Sequence, residues 1–166
     1  MKIFLVGFMG AGKTTVGEIL ARRLEVPFVD LDREIEGAAG LSVREIFLQR
    51  GEPEFRQLER EALKTAAALP DAVIATGGGT IAVTANAELM KSGLTVWLNP
   101  TFATLAARIG GAGKMDRPLF RSETQALALY RERLPAYRTA DLAVDVGPEE
   151  APEEIAARIL LRMPTR

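Results

Sequence analysis

Apolar and polar positions along this chain follow two rhythms. Mainly apolar runs over 2–6, 28–31, 72–75, 95–98 and 142–146 suit strands, and the unbroken Ile3-Phe4-Leu5-Val6 suits one buried on both faces. Between them, apolar residues recur at helical spacing over about 14–25, 42–50, 53–68, 83–91, 101–109, 122–138 and 152–163. In the first of these, Val16, Ile19, Leu20 and Leu24 form the stripe, with Glu18, Arg22 and Arg23 between them. Strands separated by helices predict a five-stranded parallel sheet with helices on both faces, a three-layer α/β/α fold. Ligands in such sheets bind beyond the carboxyl ends of the strands. Three suggestive groups fall there: Gly7 onward after the first strand, Asp30 and Asp32 at the end of the second, and Gly77-Gly78-Gly79 after the third.

Composition narrows the function classes. A chain of 166 residues favours a single domain with a substantial core. Its 48% hydrophobic and 26% charged residues are ordinary for a globular protein, and no apolar segment approaches membrane-spanning length. The N-terminal apolar stretch is interrupted by Lys13, unlike a secretory signal. Without cysteine there is neither a disulfide framework nor a thiolate metal site, which suits a reducing compartment such as the cytoplasm. Without histidine, a general base has to be a carboxylate, a lysine or a tyrosine. A net charge of −1 argues against a nucleic-acid binder. The stretch 108–138 nevertheless holds seven basic residues against three acidic ones. That balance fits small anionic ligands, or a solvated helical face. The expected state is a monomer acting on small molecules, with no nucleic-acid or membrane partner.

Residues 7–14 read Gly-Phe-Met-Gly-Ala-Gly-Lys-Thr, the G-x-x-x-x-G-K-[ST] spacing of a phosphate-binding loop, set between a strand and a helix as that loop requires. Glycines let backbone N–H groups turn inward on a triphosphate, and the following helix adds its open amides and positive dipole end. Gly10, Ala11, Gly12, Lys13, Thr14 and Thr15 are therefore the expected nucleotide contacts. Lys13 reaches the β- and γ-phosphates, and Thr14 ligates Mg²⁺. The expected co-substrate is ATP.

Four other groups carry candidate chemistry. Asp30-Leu31-Asp32 places two carboxylates on one face of a strand end, one for water-mediated Mg²⁺ binding and one for a substrate hydroxyl, although aspartate there also suits helix capping. Three glycines at 77–79 suggest close approach to a ligand, or a flexible turn. Arg56 could bind a carboxylate through two parallel hydrogen bonds, or form an i,i+4 pair with Glu52; Arg133 is similarly ambiguous. The glycine-rich, basic segment at about 110–122, with Arg117 in it, has the composition of a mobile lid or of a plain surface connection.

Taken together, these motifs resemble the shikimate kinase family over essentially the whole chain. The carriers are the phosphate loop, Phe28-Val29-Asp30-Leu31-Asp32 with Ile35-Glu36, and Ile46-Phe47 leading to Gly51-Glu52 and Phe55-Arg56. Thr76–Gly79, Arg117-Pro118-Leu119, and Glu132-Arg133 with Pro135 and Tyr137 complete the set. The resemblance implies a P-loop kinase fold and ATP-dependent phosphorylation of the shikimate 3-hydroxyl, a step of aromatic amino-acid (chorismate) biosynthesis. It makes Asp32 the candidate base, and it has Arg56 and Arg133 grip the shikimate carboxylate beside the Gly77, Gly78 and Gly79 backbone. It puts Thr14 and Asp30 at Mg²⁺, Arg117 on the phosphates as a catalytic cation with Lys13, and Arg108 near adenine. Ala136 departs from the leucine frequent before the tyrosine, a change that removes no polar contact. Two rival readings stay open: a related small-molecule or nucleotide kinase, and a non-catalytic nucleotide-binding module. No Asn-Lys-x-Asp guanine-reading motif occurs, which disfavours a GTPase switch.

Overall fold

The strand β1 (Lys2–Val6) runs through the centre of the molecule with Ile3, Phe4, Leu5 and Val6 all buried, as an unbroken apolar run requires. In the computed structural model, which describes residues 1–111 and 122–165, it is flanked by β3 (Ala72–Ala75) and β4 (Leu94–Pro100). Outside these lie β2 (Phe28–Asp30) and β5 (Leu142–Val146), giving the order β2-β3-β1-β4-β5 with every neighbouring pair parallel. The register sets Val6 opposite Trp97, and Leu5 opposite both Ala75 and Val96, so the carboxyl ends of β1, β3 and β4 lie side by side. The chain leaves β1 toward β3 and later returns to its other flank as β4. The phosphate loop stands at that reversal, where open α/β sheets hold their ligands.

The helices α1 (Lys13–Leu24), α3 (Val43–Arg50), α4 (Glu52–Ala67) and α5 (Thr84–Met90) fall within a residue or two of the sequence pattern, as do α6 (Phe102–Gly111), α7 (Glu123–Tyr137) and α8 (Pro152–Arg162). Ser42 and Glu45 form a reciprocal capping box that starts α3, and Gly40 and Gly51 take positive φ at helix ends. Gly17 of α1 lies so close to the sheet that a Cβ would come within 2.6 Å of the Phe28 ring. Along α8, Arg158 and Arg162 reach back to β5 and donate to the carbonyls of Asp145 and Ala143, both at 2.6 Å.

One expectation is corrected. The strand predicted over 28–31 ends at Asp30, and Leu31 opens a helix, α2 (Leu31–Ala39), that the sequence pattern did not predict. The helix is short and buries only Leu31 and Ile35, so its core signal is a single i,i+4 pair. Its caps were nonetheless present in the sequence: Asp30 accepts from Arg33 N at 3.3 Å, and Gly40 ends it at φ 67°. Asp30 and Asp32 therefore do not share the face of one strand. A short 3₁₀ turn (Thr80–Ala82) after the glycines was likewise unforeseen.

Candidate active site

The phosphate loop wraps the start of α1 with three glycines at positive φ: Gly7 at 147°, Gly10 at 84° and Gly12 at 98°. At Gly7 a Cβ would also lie 2.7 Å from the carbonyl oxygen of Leu98, so space and dihedral both exclude a side chain. No side chain caps α1 at Gly12, which leaves its first amides turned to the pocket. Arg108 of α6 donates to Gly10 O at 2.8 Å and so braces the crest of the loop. Lys13 Nζ donates to the carbonyls of Gly7 and Phe8, 3.1 Å to the latter. Burial pulls its pKa down to about 8, with Arg133 adding to the effect and the carboxylates of Asp32 and Asp30 opposing it. At pH 7 the ammonium is retained.

A cavity of about 430 Å³ opens over this loop, and its far wall consists of Asp30, Asp32, Glu36 and the segment Ala75–Gly78. The two aspartates reach it by different routes. Asp30, last on β2, uses one carboxylate oxygen to cap α2 while the other accepts from Thr14 Oγ1 at 2.8 Å. Capping of α2 and the hydrogen bond from Thr14 thus coexist on one side chain. Asp32 sits in the first turn of α2. Burial against the pocket wall pushes its carboxyl up to about 6; Lys13 pulls the other way, while Asp30, Glu59 and Glu36 raise it further. The residue is open to water on its pocket side, which screens part of these influences.

A second cavity, about 550 Å³, adjoins across the glycines and is lined by Arg56, Gly79, Arg133, Glu52 and Glu132 among others. The glycine run is explained by these arginines rather than by unusual dihedrals, since none of the three has positive φ. A Cβ on Gly78 would lie 2.8 Å from Arg133 Nη1, and one on Gly79 2.7 Å from Arg56 Nη2. Arg133, in α7, is buried and lies over the Phe8 ring at 5.9 Å. Arg56 does pair with Glu52, at 3.5 Å, yet it is far from a merely exposed ion pair: its guanidinium is half-buried and donates to Glu59 Oε1 at 2.9 Å.

Glu59 is the residue that sequence reasoning missed. Its carboxylate is only 1% exposed, and it accepts from Arg56, from Thr80 Oγ1 at 2.9 Å and from Asn86 Nδ2 at 3.5 Å. It stands on the buried stripe of α4 with Phe55, Leu63 and Ala66. A charge on an apolar stripe was the available signal. Glu59→Gln is expected to cost about 2 kcal/mol of stability, below the value for a fully buried pair because Arg56 keeps some contact with water. Urea unfolding measures this, and a loss under about 0.5 kcal/mol would mean that Arg56 and Thr80 find other partners.

Arg117 and most of the expected lid at 110–122 lie outside the described residues. The other expected residues line the two cavities, except Arg108, which instead reaches the carbonyl of Gly10 in the phosphate loop. Residues 9–164 match the family model for shikimate kinase. The chain belongs to the shikimate kinase family. A shikimate kinase of Microcystis aeruginosa is 39% identical over 170 residues, spanning 99% of this chain and 87% of that protein. A solved shikimate kinase from Acinetobacter baumannii in complex with shikimate superposes with TM-score 0.89 at 36% identity, covering 96% of this chain and 90% of that one. The crystal structure of shikimate kinase from Aquifex aeolicus gives TM-score 0.83 at 38% identity, covering 97% and 94%. This shikimate kinase family fold is a P-loop kinase fold, so the reading as a non-catalytic module falls away.

Proposed function

We propose that the chain transfers the γ-phosphoryl group of ATP to the 3-hydroxyl of shikimate, giving ADP and shikimate 3-phosphate in aromatic amino-acid biosynthesis. The observation that carries this reading is the pair of adjoining cavities. One is built of backbone amides and Lys13 for a polyphosphate; the other is built around Arg56 and Arg133 for a carboxylate. The Gly77–Gly79 segment is shared between them, and Asp32 faces the first. Shikimate, a hydroxylated ring acid, offers a carboxylate to the arginines and a hydroxyl to Asp32.

In this reading Gly10, Ala11, Gly12, Lys13, Thr14 and Thr15 bind the phosphates, and Arg108 flanks the base. Asp32 accepts the proton of the attacking hydroxyl as its oxygen bonds to the γ-phosphorus and ADP departs. Arg56, Arg133 and the Gly77–Gly79 backbone hold the ring acid in line. Thr14 Oγ1 and Asp30 Oδ2, two hard oxygen donors 2.8 Å apart, fit Mg²⁺: the hydroxyl would ligate it directly and the carboxylate through water. When bound, that ion neutralises charge on the phosphates. The role given to Arg117 is to reach the phosphates from a lid over 110–122, within a single domain of 166 residues acting as a monomer.

The test is incubation with ATP, Mg²⁺ and shikimate, following ADP and phosphorylated shikimate together. Equal amounts are expected, with little ADP when shikimate is left out. A folded protein that binds ATP but makes neither product would overturn the substrate assignment and move the search to other hydroxyl acceptors.

A further inference from the structure

Three glycines in a row leave the peptide planes between them without side chains to hold them, and a glycine peptide can rotate at little steric cost. One of these planes is anchored from outside the segment. Tyr137, the last residue of α7, is fully buried and donates its hydroxyl to Gly78 O at 2.6 Å. Its ring lies on Trp97 with centroids 5.8 Å apart and planes inclined by 31°. Burial pushes its phenol up to about 12, against the opposing influence of the Arg133 guanidinium, so it remains a donor across the working pH range. Arg133 precedes it by one helical turn on the same face, and its guanidinium packs on Gly78 and Gly79.

The peptide bond is planar and trans, so fixing the Gly78 carbonyl also fixes the Gly79 N–H, which points the opposite way. Gly79 lines the cavity of the two arginines, and none of the hydrogen bonds among the described residues uses its N–H. We infer that Tyr137 is a positioning residue for substrate: it locks the Gly78–Gly79 peptide so that the Gly79 N–H is held ready to donate to the acceptor molecule. This inference rests on the shikimate kinase reading above. It separates the work of α7 into two parts, with Arg133 supplying charge and Tyr137 the orientation of a neutral backbone donor.

Tyr137→Phe removes the hydroxyl and keeps the ring on Trp97, so folding, checked by circular dichroism, is retained. Two readouts decide the matter. In ¹⁵N-glycine-labelled, ligand-free protein, the Gly78 and Gly79 amide signals are expected to split or broaden, while Gly7 and Gly12 stay as in the wild type. In steady-state kinetics, KM for shikimate is expected to rise about 5–10-fold, the loss of one hydrogen bond, with KM for ATP within twofold of wild type. Unchanged glycine signals, an unchanged shikimate KM, or an equal rise in both KM values would each overturn the inference; the last is what a purely structural role produces. Should the wild-type chain fail to phosphorylate shikimate, the parent reading falls, and the ligand-free glycine spectrum still decides for or against Tyr137.

Discussion

Asp32→Asn is expected to lower kcat by about 10²–10⁴-fold with little change in ATP affinity, the range for losing a positioned general base. The chain has no histidine. Among the carboxylates at the phosphate cavity, Asp30 is committed to Thr14 and to the cap of α2, and Glu36 accepts from Val43 N at 3.1 Å, which leaves Asp32 in the first turn of that helix as the candidate base. Asparagine preserves shape but is neutral, so it removes both the charge and the capacity to take a proton. A variant with near-normal kcat at saturating shikimate would reduce Asp32 to a hydrogen-bonding role. The same substitution has an opposite effect on stability. A carboxyl whose folded pKa is about 6 binds its proton more tightly in the native state than in the unfolded chain, where the value is 3.8. Native stability therefore falls as pH rises from 3.8 to about 6, and the full penalty persists above that. In metal-free buffer, Asp32→Asn should raise Tm modestly at pH 7.5, with the gain shrinking toward pH 5. Water at the open side of the carboxyl keeps the gain small. A lower Tm for the variant at pH 7.5 would contradict the electrostatics described for this pocket.

Arg133→Ala is the second large effect: a rise of about 10²-fold in KM for shikimate, with kcat at saturation changed only a few-fold. Arg133 is buried, planar, and fixed between the Phe8 ring and the backbone of Gly78 and Gly79, so its guanidinium is already oriented before a carboxylate arrives. Arg56 shares its charge with Glu59 and Glu52, and Arg56→Ala is expected to have the smaller effect, about tenfold in the same parameter. Lysine at 133 should recover little, because a point charge cannot present two parallel donors. Steady-state kinetics with each substrate varied separately gives the comparison. Unchanged shikimate KM in both alanine variants would remove the carboxylate assignment, and an equal fall in kcat and kcat/KM would move Arg133 from ground-state binding to the transition state.

Much of the fold was legible because its signals are local and repeated. The buried run of β1 and the glycine spacing from Gly7 to Gly12 each pair a residue type with a structural demand. What escaped depends on tertiary contact. α2 offered a single buried i,i+4 pair, Leu31 and Ile35, and Asp30, weighed between capping and catalysis, both caps that helix and accepts from Thr14. Glu59 stands at helical spacing between Phe55 and Leu63, but only packing reveals that its carboxylate is buried among Arg56, Thr80 and Asn86. The glycines at 77–79 were read as a close approach to a ligand or as a flexible turn; the groups that crowd Gly78 and Gly79 in the structure are arginines from α4 and α7, far apart in sequence.

The arginines of α8 bear on how this molecule avoids its own copies. A strand at the margin of a sheet offers unpaired carbonyls to any passing strand, the usual beginning of edge-to-edge aggregation. On β5 the Asp145 and Ala143 carbonyls are already taken by Arg158 and Arg162. A foreign strand would have to displace two charge-assisted bonds and push past two guanidinium groups to extend the sheet there. The last helix thus doubles as a guard rail, and colloidal behaviour is written into the same residues that fasten it to the sheet.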